Sequence, residues 1–228
     1  MALYFFFILN TKNEMFKYER IVHISELIVP TTMVSLTEKE SEVLLKLFKD
    51  FSQDYNANSI SKQVNMTPRG ALKILKNMEK EKIVTSKKLG KAVFYKPNFN
   101  DMYTRKIIET LLIGEAREKA TRWLNEFEKV FKDTEIVIIF GSMIKNPKHA
   151  NDIDVLFVFK NKNYKKVSAF INEKNRLLFK KIHSLPQTME DLKENLNKNE
   201  AIKDAIKTGY VLHGFDTLVG VVKNVTSF

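Results

Sequence analysis

Cysteine is absent from the 228 residues of this chain. Disulfide bonds and thiolate metal sites are therefore excluded, and a reducing interior is the natural compartment, so we expect a cytoplasmic protein. Any metal ion must be held by Asp, Glu, His or backbone oxygen. Internal repeats and low-complexity linkers are also missing, and no apolar stretch approaches membrane-spanning length, so no membrane partner is expected.

Residues 1–34 form an ill-defined leader. The run Leu3–Leu9 is strongly apolar but far too short to cross a bilayer. No basic residue precedes it and no small-residue cleavage site follows it, which argues against a signal peptide. Two interpretations stay open: an extra β-strand, or a misassigned translation start with Met15 as the true one.

Acidic residues are outnumbered by basic ones, and the basic excess is concentrated in one segment. The formal net charge is +11, and between residues 60 and 97 ten Lys or Arg stand against two Glu, a net of +8. Such a charge favours polyanionic partners, because neutralised phosphates release counterions. Hydrophobic residues make up 44% of the chain, which predicts a packed core.

The pattern over residues 35–98 predicts three helices followed by a β-hairpin. Thr67 is placed to cap the third helix, with Pro68 at its first position, where the missing N–H is harmless. For the short second helix, Asn58 or Ser59 is the predicted cap. This order of elements resembles the winged helix-turn-helix fold, in which the third helix docks in a DNA major groove.

The winged-helix resemblance implies double-stranded DNA as a partner. The residues expected to contact DNA are polar or basic and lie outside the apolar face of the third helix or in the hairpin turn. They are a recognition set, Thr67, Arg69, Lys73 and Lys76, and a wing set, Lys87, Lys88 and Lys91. Phosphate contacts of this kind give affinity but little sequence choice. The alternative is a winged helix that binds protein or packs against the rest of the chain.

A second pattern carries chemistry. Glu135–Phe140 is a continuous apolar run, typical of a buried strand, and it ends at Gly141 and Ser142. After nine further residues, Asp152 and Asp154 open a second apolar strand. The glycine lets backbone approach a phosphate, and the serine hydroxyl can hold phosphate oxygens. Carboxylates at i and i+2 of a strand point to the same side, so they can share a divalent cation.

This arrangement, GSMIKNPKHANDIDVLFVF, resembles the Gly-Ser, spacer, Asp-x-Asp signature of the polymerase-beta nucleotidyltransferase superfamily, above all its minimal prokaryotic members. The resemblance implies that Gly141 and Ser142 bind the nucleotide. It also implies that Asp152 and Asp154 are catalytic and bind Mg²⁺ or Mn²⁺. The implied activity is transfer of a nucleoside monophosphate from an NTP to an acceptor hydroxyl, and a toxin-like protein partner is one plausible acceptor.

The strand after the crossover helix departs from the family pattern. It is predicted over Arg176–Leu185 and contains no Asp or Glu, although the family's third catalytic carboxylate sits there. A Lys within residues 180–182 would repel a cation, whereas His183 is either a general base or a structural residue. Glu190 and Asp191 are more simply residues of the first turn of the next helix.

The predicted fold class is α+β, with an N-terminal winged helix over residues 35–98 and a small mixed-sheet nucleotidyltransferase domain over residues 99–228. Two main functions stay open, beside a third, a purely structural partner of another protein. The first is a DNA-binding, Mg²⁺-dependent nucleotidyltransferase. The second is a transcription regulator whose degenerate nucleotidyltransferase domain senses a nucleotide or a partner, as the missing carboxylate suggests. A homodimer is compatible with both.

Overall fold

The computed structural model of the protein describes residues 36–196 and 198–226. The predictions made for residues 1–34 lie outside these described residues. Helices and two separate β-sheets make up the described part, which confirms the predicted α+β class. The chain from Leu36 onward packs as one compact unit, and the proposed division near residue 98 stays a prediction.

The first part of this unit has the element order and pairing of a winged helix. Three antiparallel strands form a sheet in the order β1-β3-β2, with a helix pair inserted between β1 and β2. The elements are α1 (Glu38–Lys49), β1 (Tyr55–Asn56), α2 (Ala57–Gln63), α3 (Pro68–Lys80), β2 (Val84–Leu89) and β3 (Ala92–Pro97). The two-residue strand β1 was not predicted, because it is too short to show a period.

Side-chain caps set where the two helices of the helix-turn-helix begin. Thr67 caps α3 as predicted, because its hydroxyl accepts a hydrogen bond from the Gly70 N–H at 3.1 Å. At α2 the cap is Asn56, so the prediction of Asn58 or Ser59 was wrong. The Asn56 side chain accepts from the Ser59 N–H and the Ser59 hydroxyl accepts from the Asn56 N–H, both at 2.9 Å.

The β-hairpin is longer than the sequence pattern predicted. Lys87 and Lys88 lie within β2 and pair with β3, so their predicted placement in the turn was wrong. The turn itself is formed by Gly90, whose φ is +60°, and Lys91. Because side chains alternate along a strand, Lys87 and Lys88 lie on opposite faces of the hairpin.

The second part is built on a four-stranded mixed sheet in the order β6-β5-β4-β7. Strand β4 is antiparallel to both β5 and β7, whereas β5 and β6 are parallel. The elements are α4 (Met102–Lys119), α5 (Thr121–Phe131), β4 (Ile136–Phe140), α6 (Ser142–Lys145), β5 (Asp152–Val158), α7 (Tyr164–Leu177), β6 (Lys181–Gln187), α8 (Met189–Asn195), α9 (Glu200–Thr208), β7 (Tyr210–His213) and α10 (Phe215–Val225).

Burial explains why the two central strands were predictable. Residues Ile136 to Ile139 of β4 are fully buried, and so is most of β5, which matches their continuous apolar runs. The ring of Phe127 from α5 contacts Phe157 at 6.0 Å and Phe170 at 5.7 Å between centroids. Helices α5 and α7 therefore close one core over the sheet.

Strand β6 begins later than predicted. The interval Arg176–Leu185 was wrong at its start, because α7 continues to Leu177. The backbone N–H of Leu178 donates to the carbonyl of Lys174, which completes the last helical turn. The Asn175 side chain then accepts from the Ile182 N–H at 2.6 Å, which positions the new strand beside the helix end.

A buried polar junction joins the winged helix to the four-stranded sheet. The Lys49 ammonium, 8% exposed, contacts the Glu115 carboxylate at 2.9 Å and donates to the Gly209 carbonyl at 2.6 Å. Beside it, the Asp50 carboxylate, 1% exposed, accepts from the Tyr55 hydroxyl at 2.5 Å and from Lys207 at 3.0 Å. These contacts connect α1 to α4 and α9.

The junction shifts the pKa of both charged groups. Burial lowers the pKa of Lys49, and the neighbouring Glu115 only partly offsets this. Burial alone would raise the pKa of Asp50. Hydrogen bonds from Tyr55 and Lys207 outweigh burial, so the pKa of Asp50 lies below its ordinary value of 3.8. The ionised form of Asp50 is therefore the one that stabilises the fold.

Replacing Asp50 with Asn should make the free energy of unfolding depend less on pH in the acid range. At neutral pH we expect Asp50→Asn to lower the free energy of unfolding by about 1–3 kcal/mol, as for hydrogen bonds to a charged group. A depressed folded-state pKa contributes stability above the unfolded value of 3.8 and loses it as pH falls through the folded value. The gap between variant and wild type should therefore shrink below about pH 4, in urea unfolding curves measured across pH.

The matched control is Asp204→Asn, which removes a half-exposed carboxylate 3.5 Å from Lys145. A surface pair of this kind contributes about 1 kcal/mol or less. Equal losses in the two variants, or a gap at Asp50 that persists in acid, would contradict the role assigned to Asp50.

Candidate functional site

One edge of the four-stranded sheet gathers the residues of the Gly-Ser and Asp-x-Asp motif. Strand β4 ends at Phe140, which pairs with Asp154 of β5. Gly141 follows with φ +77° and ψ −151°, a conformation that is essentially restricted to glycine. A Cβ atom at Gly141 would overlap the Asp154 carboxylate. The backbone turn after β4 therefore lies directly against one of the two aspartates, and Ser142 opens α6 at the surface.

His183 completes this edge from the neighbouring parallel strand. The register of β5 and β6 pairs Asp152 with Lys181 and Asp154 with His183. The His183 Nδ1 lies 2.9 Å from the Asp154 Oδ1. The side chain of His183 is 74% exposed and that of Asp154 is 20% exposed, so the contact faces solvent. His183 therefore stands beside the aspartates on the strand where the family pattern has its third acid.

The neighbouring lysines, Lys180 and Lys181, donate hydrogen bonds to backbone carbonyls. The Lys180 ammonium donates to the Pro147 carbonyl at 2.5 Å, which ties the loop between α6 and β5 to the start of β6. The Lys181 ammonium donates to the backbone carbonyls of Asn175 and Leu178 at the end of α7. Neither ammonium forms an ion pair with Asp152 or Asp154 among the described residues.

Asp152, Asp154 and His183 offer one ligand atom each, and these atoms lie within 4.8 Å of one another. Two carboxylates and one imidazole are suitable donors for a divalent cation. Asp191 is not part of this group. It forms a capping box with Thr188 at the start of α8, whose backbone and hydroxyl hydrogen bonds lower the pKa of the Asp191 carboxyl. Asp191 therefore lies in the first turn of α8, as the sequence predicted.

The predicted site residues do not include His183, for which the sequence leaves a general base and a structural residue open. Its exposure leaves little packing for a structural role. The sequence did contain a signal for His183. A third strand that runs parallel to the Asp-x-Asp strand must bring one of its residues level with Asp154. The error of five residues in the start of β6 hid which residue that was.

The recognition set forms one exposed surface on α3. Thr67, Arg69, Lys73 and Lys76 are all exposed, and together with Gly70, Leu72 and Asn77 they line a groove of about 560 Å³. The opposite side of α3 is buried through Ala71, Leu75 and Met78. Leu72 is 38% exposed and lies among the cations. The Thr67 hydroxyl also caps the helix, so it has a structural contact in addition to any other.

The basic side chains of the recognition set and of the wing set have no acidic partner among the described residues. None of Arg69, Lys73 and Lys76 forms an ion pair there, and the same holds for the exposed wing residues Lys87, Lys88 and Lys91. In α1, by contrast, Lys39 and Lys46 both pair with acids. The charges of these six side chains are therefore not paired with an acid within the described residues.

Comparisons with known proteins are sparse. No protein-family model and no curated protein matches the chain. Among solved structures, a mutant of ZitR from Lactococcus lactis, described as a zinc-responsive MarR family member, is 12% identical, with 66% of this chain and 81% of that chain covered and a TM-score of 0.33. AdcR, the adhesin competence repressor from Streptococcus pyogenes, is 13% identical, with 64% and 84% covered and a TM-score of 0.33.

A structure of mutant ZitR in complex with DNA is 13% identical, with 64% of this chain and 78% of that chain covered and a TM-score of 0.30. Backbones superpose poorly at such scores, so the winged helix is assigned here from its own element order and strand pairing. Membership of the nucleotidyltransferase superfamily stays a prediction, carried by the motif residues. No helix in the described part of the chain is long and apolar enough to cross a membrane.

Gly141→Ala tests the close approach of the β4 turn to Asp154. We expect this variant to lose about 1–3 kcal/mol of unfolding free energy, because alanine is strained at this φ and its methyl group displaces the carboxylate. The control is Gly114→Ala in α4, where an added Cβ meets nothing within 4 Å. That variant should be stabilised by about 0.5–1 kcal/mol. Urea unfolding of both variants decides, and a neutral Gly141→Ala would contradict the geometry.

Proposed function

We propose that this protein is a winged-helix DNA-binding regulator whose second part holds a divalent cation and a nucleotide. The observation that carries the DNA-binding proposal is the unpaired cationic surface of α3. Arg69, Lys73 and Lys76 project from the helix face opposite the core, and no acid neutralises them within the described residues. An exposed recognition helix with this charge is suited to the major groove of a duplex.

The chemistry of the surface separates affinity from sequence choice. The lysines are point charges that neutralise phosphates and release counterions, which gives salt-dependent affinity. Arg69 has a planar fork of donors that matches the edge of a guanine. Leu72 supplies an apolar contact of the kind that a thymine methyl group accepts. We therefore expect Arg69 and Leu72, which lie in the first half of α3, to determine which bases are preferred.

The competing interpretation is a winged helix that only packs against the rest of the chain. The packing in this structure is made by α1 and not by α3, since α1 contacts α4 and α9 through Lys49 and Asp50. The recognition set stays exposed while the junction is buried. Because α1 makes the buried junction while the recognition set stays exposed, α3 is available as a partner-binding surface.

Neutralising the recognition set should weaken duplex binding and its salt dependence together. The variant carries Arg69→Gln, Lys73→Gln and Lys76→Gln. If Lys73 and Lys76 each lose a phosphate contact, the magnitude of the slope of log K against log salt should fall by about 2, at roughly 0.9 per contact. Fluorescence anisotropy with a labelled duplex of about 25 base pairs, read at several salt concentrations, measures this slope.

The control removes the same charge elsewhere, through Lys129→Gln, Lys162→Gln and Lys165→Gln, which are exposed on the second part of the chain. It should retain most of the slope and affinity. Identical behaviour of the two triple variants would mean that net charge and not α3 determines binding. Absence of duplex binding by the wild type at low salt would reject the proposal.

The second part of the chain is proposed to bind a nucleotide with its divalent cation. Support comes from the close backbone approach at Gly141, from the exposed Ser142 hydroxyl, and from the paired carboxylates of Asp152 and Asp154. A bound divalent ion there would neutralise triphosphate charge. Because His183 occupies the position beside Asp154, occupancy without turnover is the behaviour we expect, with the nucleotide acting as a signal.

Nucleotidyl transfer is the second candidate, favoured by the assembled Asp152 and Asp154 pair. In that reaction an acceptor oxygen bonds to the α-phosphorus of an NTP while the bond to the leaving pyrophosphate breaks. Incubation with α-labelled NTP, divalent metal and candidate protein or nucleic-acid acceptors tests it. Label transfer that disappears in Asp152→Asn and Asp154→Asn would establish this function. No label transfer from wild type leaves the regulator as the function.

A further inference from the structure

We propose that His183 is a direct metal ligand, and that it makes the site select a first-row transition-metal dication over Mg²⁺. The inference rests on the divalent-cation site proposed above and concerns which ion that site accepts. Its structural basis is the set formed by Asp152, Asp154 and His183, whose ligand atoms lie within 4.8 Å of one another.

The spacing of the three donors fits one shared ion. Metal–ligand distances near 2.1 Å place two donors on opposite sides of an octahedral ion about 4.2 Å apart, and adjacent donors closer. The observed limit of 4.8 Å exceeds this by a few tenths of an ångström. His183 is 74% exposed, so its side chain is free to adjust toward a shared ion.

The backbone around the donors is fixed while the imidazole is adjustable. Asp154 lies in β5 and is held there by its pairing with Phe140 of β4, and Gly141 packs against its carboxylate. His183 is held level with Asp154 by the parallel register of β5 and β6. The two strands thus deliver the nitrogen donor to the carboxylates independently of loop conformation.

The donor set decides which ion is preferred. Mg²⁺ is a hard cation that takes oxygen ligands and gives up its water reluctantly. An imidazole nitrogen suits first-row transition metals, whose affinity for mixed nitrogen and oxygen sites increases from Mn²⁺ toward Cu²⁺. A third carboxylate in place of His183 would remove this bias. Mn²⁺ is the most demanding probe, because it is the weakest binder of that series.

The neighbouring lysines form their hydrogen bonds and ion pairs with groups other than the two aspartates of the site. The ammonium groups of Lys180 and Lys181, which flank the start of β6, donate to the backbone carbonyls of Pro147, Asn175 and Leu178. Lys145 in α6 pairs with Asp204 at 3.5 Å. Among these basic residues, it is His183 that contacts an aspartate of the site, at 2.9 Å from Asp154.

The test is Mn²⁺ binding to the full chain, followed by electron paramagnetic resonance without nucleotide or DNA. Wild-type protein should bind Mn²⁺ and show hyperfine coupling to a directly bonded ¹⁴N nucleus. His183→Asp should still bind Mn²⁺ but lose this coupling. In His183→Asp the Mg²⁺ concentration that displaces half of the Mn²⁺ should fall roughly tenfold, within the range seen when metal-site groups are changed.

The control is His149→Ala, which removes an exposed histidine of the loop between α6 and β5 and should leave the nitrogen coupling unchanged. Circular dichroism checks that each variant is folded. Nitrogen coupling that persists in His183→Asp, equal Mg²⁺ competition in both proteins, or no Mn²⁺ binding by the wild type would each overturn the inference. Because no DNA is present, these outcomes are independent of whether α3 binds a duplex.

Discussion

The buried ammonium of Lys49 connects three segments that are far apart in the chain. It is held by Glu115 of α4 and by the carbonyl of Gly209, which joins α9 to β7. A side chain at Gly209 has no room, because its Cβ would overlap the Ala205 carbonyl and β4. The winged helix is thereby fixed to β4, the strand that Gly141 follows. A buried charge left without its partners is costly, so this junction constrains both parts of the fold.

The same constraint keeps the two proposed surfaces, one on α3 and the hairpin and one at the sheet edge, on separate sets of residues. With α1 committed to the junction, α3 and the hairpin keep their charges exposed. The sheet edge that carries Asp152, Asp154 and His183 is built from β4, β5 and β6, to which the winged helix contributes no ligand atom among the described residues. This arrangement is compatible with the proposed regulator, in which a DNA surface and a metal–nucleotide surface are separate.

Some local features of the fold were predictable from sequence, although the cap of α2 was misplaced, whereas long-range pairing was not predictable. The cap at Thr67 and the apolar runs of β4 and β5 are set by neighbouring residues, and the structure agrees with them. The strand β1 and the start of β6 depend on partners distant in the chain, and there the predictions failed or were missing. The length of the hairpin, which joins neighbouring strands, was also predicted wrongly. The position of His183 beside Asp154 belongs to this second group, since register is fixed by the sheet.

The location of the bound duplex tests the central claim most directly. The backbone amide NMR spectrum of the full chain should be recorded during titration with a short duplex. Shifts are predicted for the amides of α3 and of the β2–β3 turn, with those of β4, β5 and β6 largely unchanged. Shifts centred on the sheet edge around Gly141 and His183, with α3 unaffected, would contradict a winged-helix mode of DNA binding.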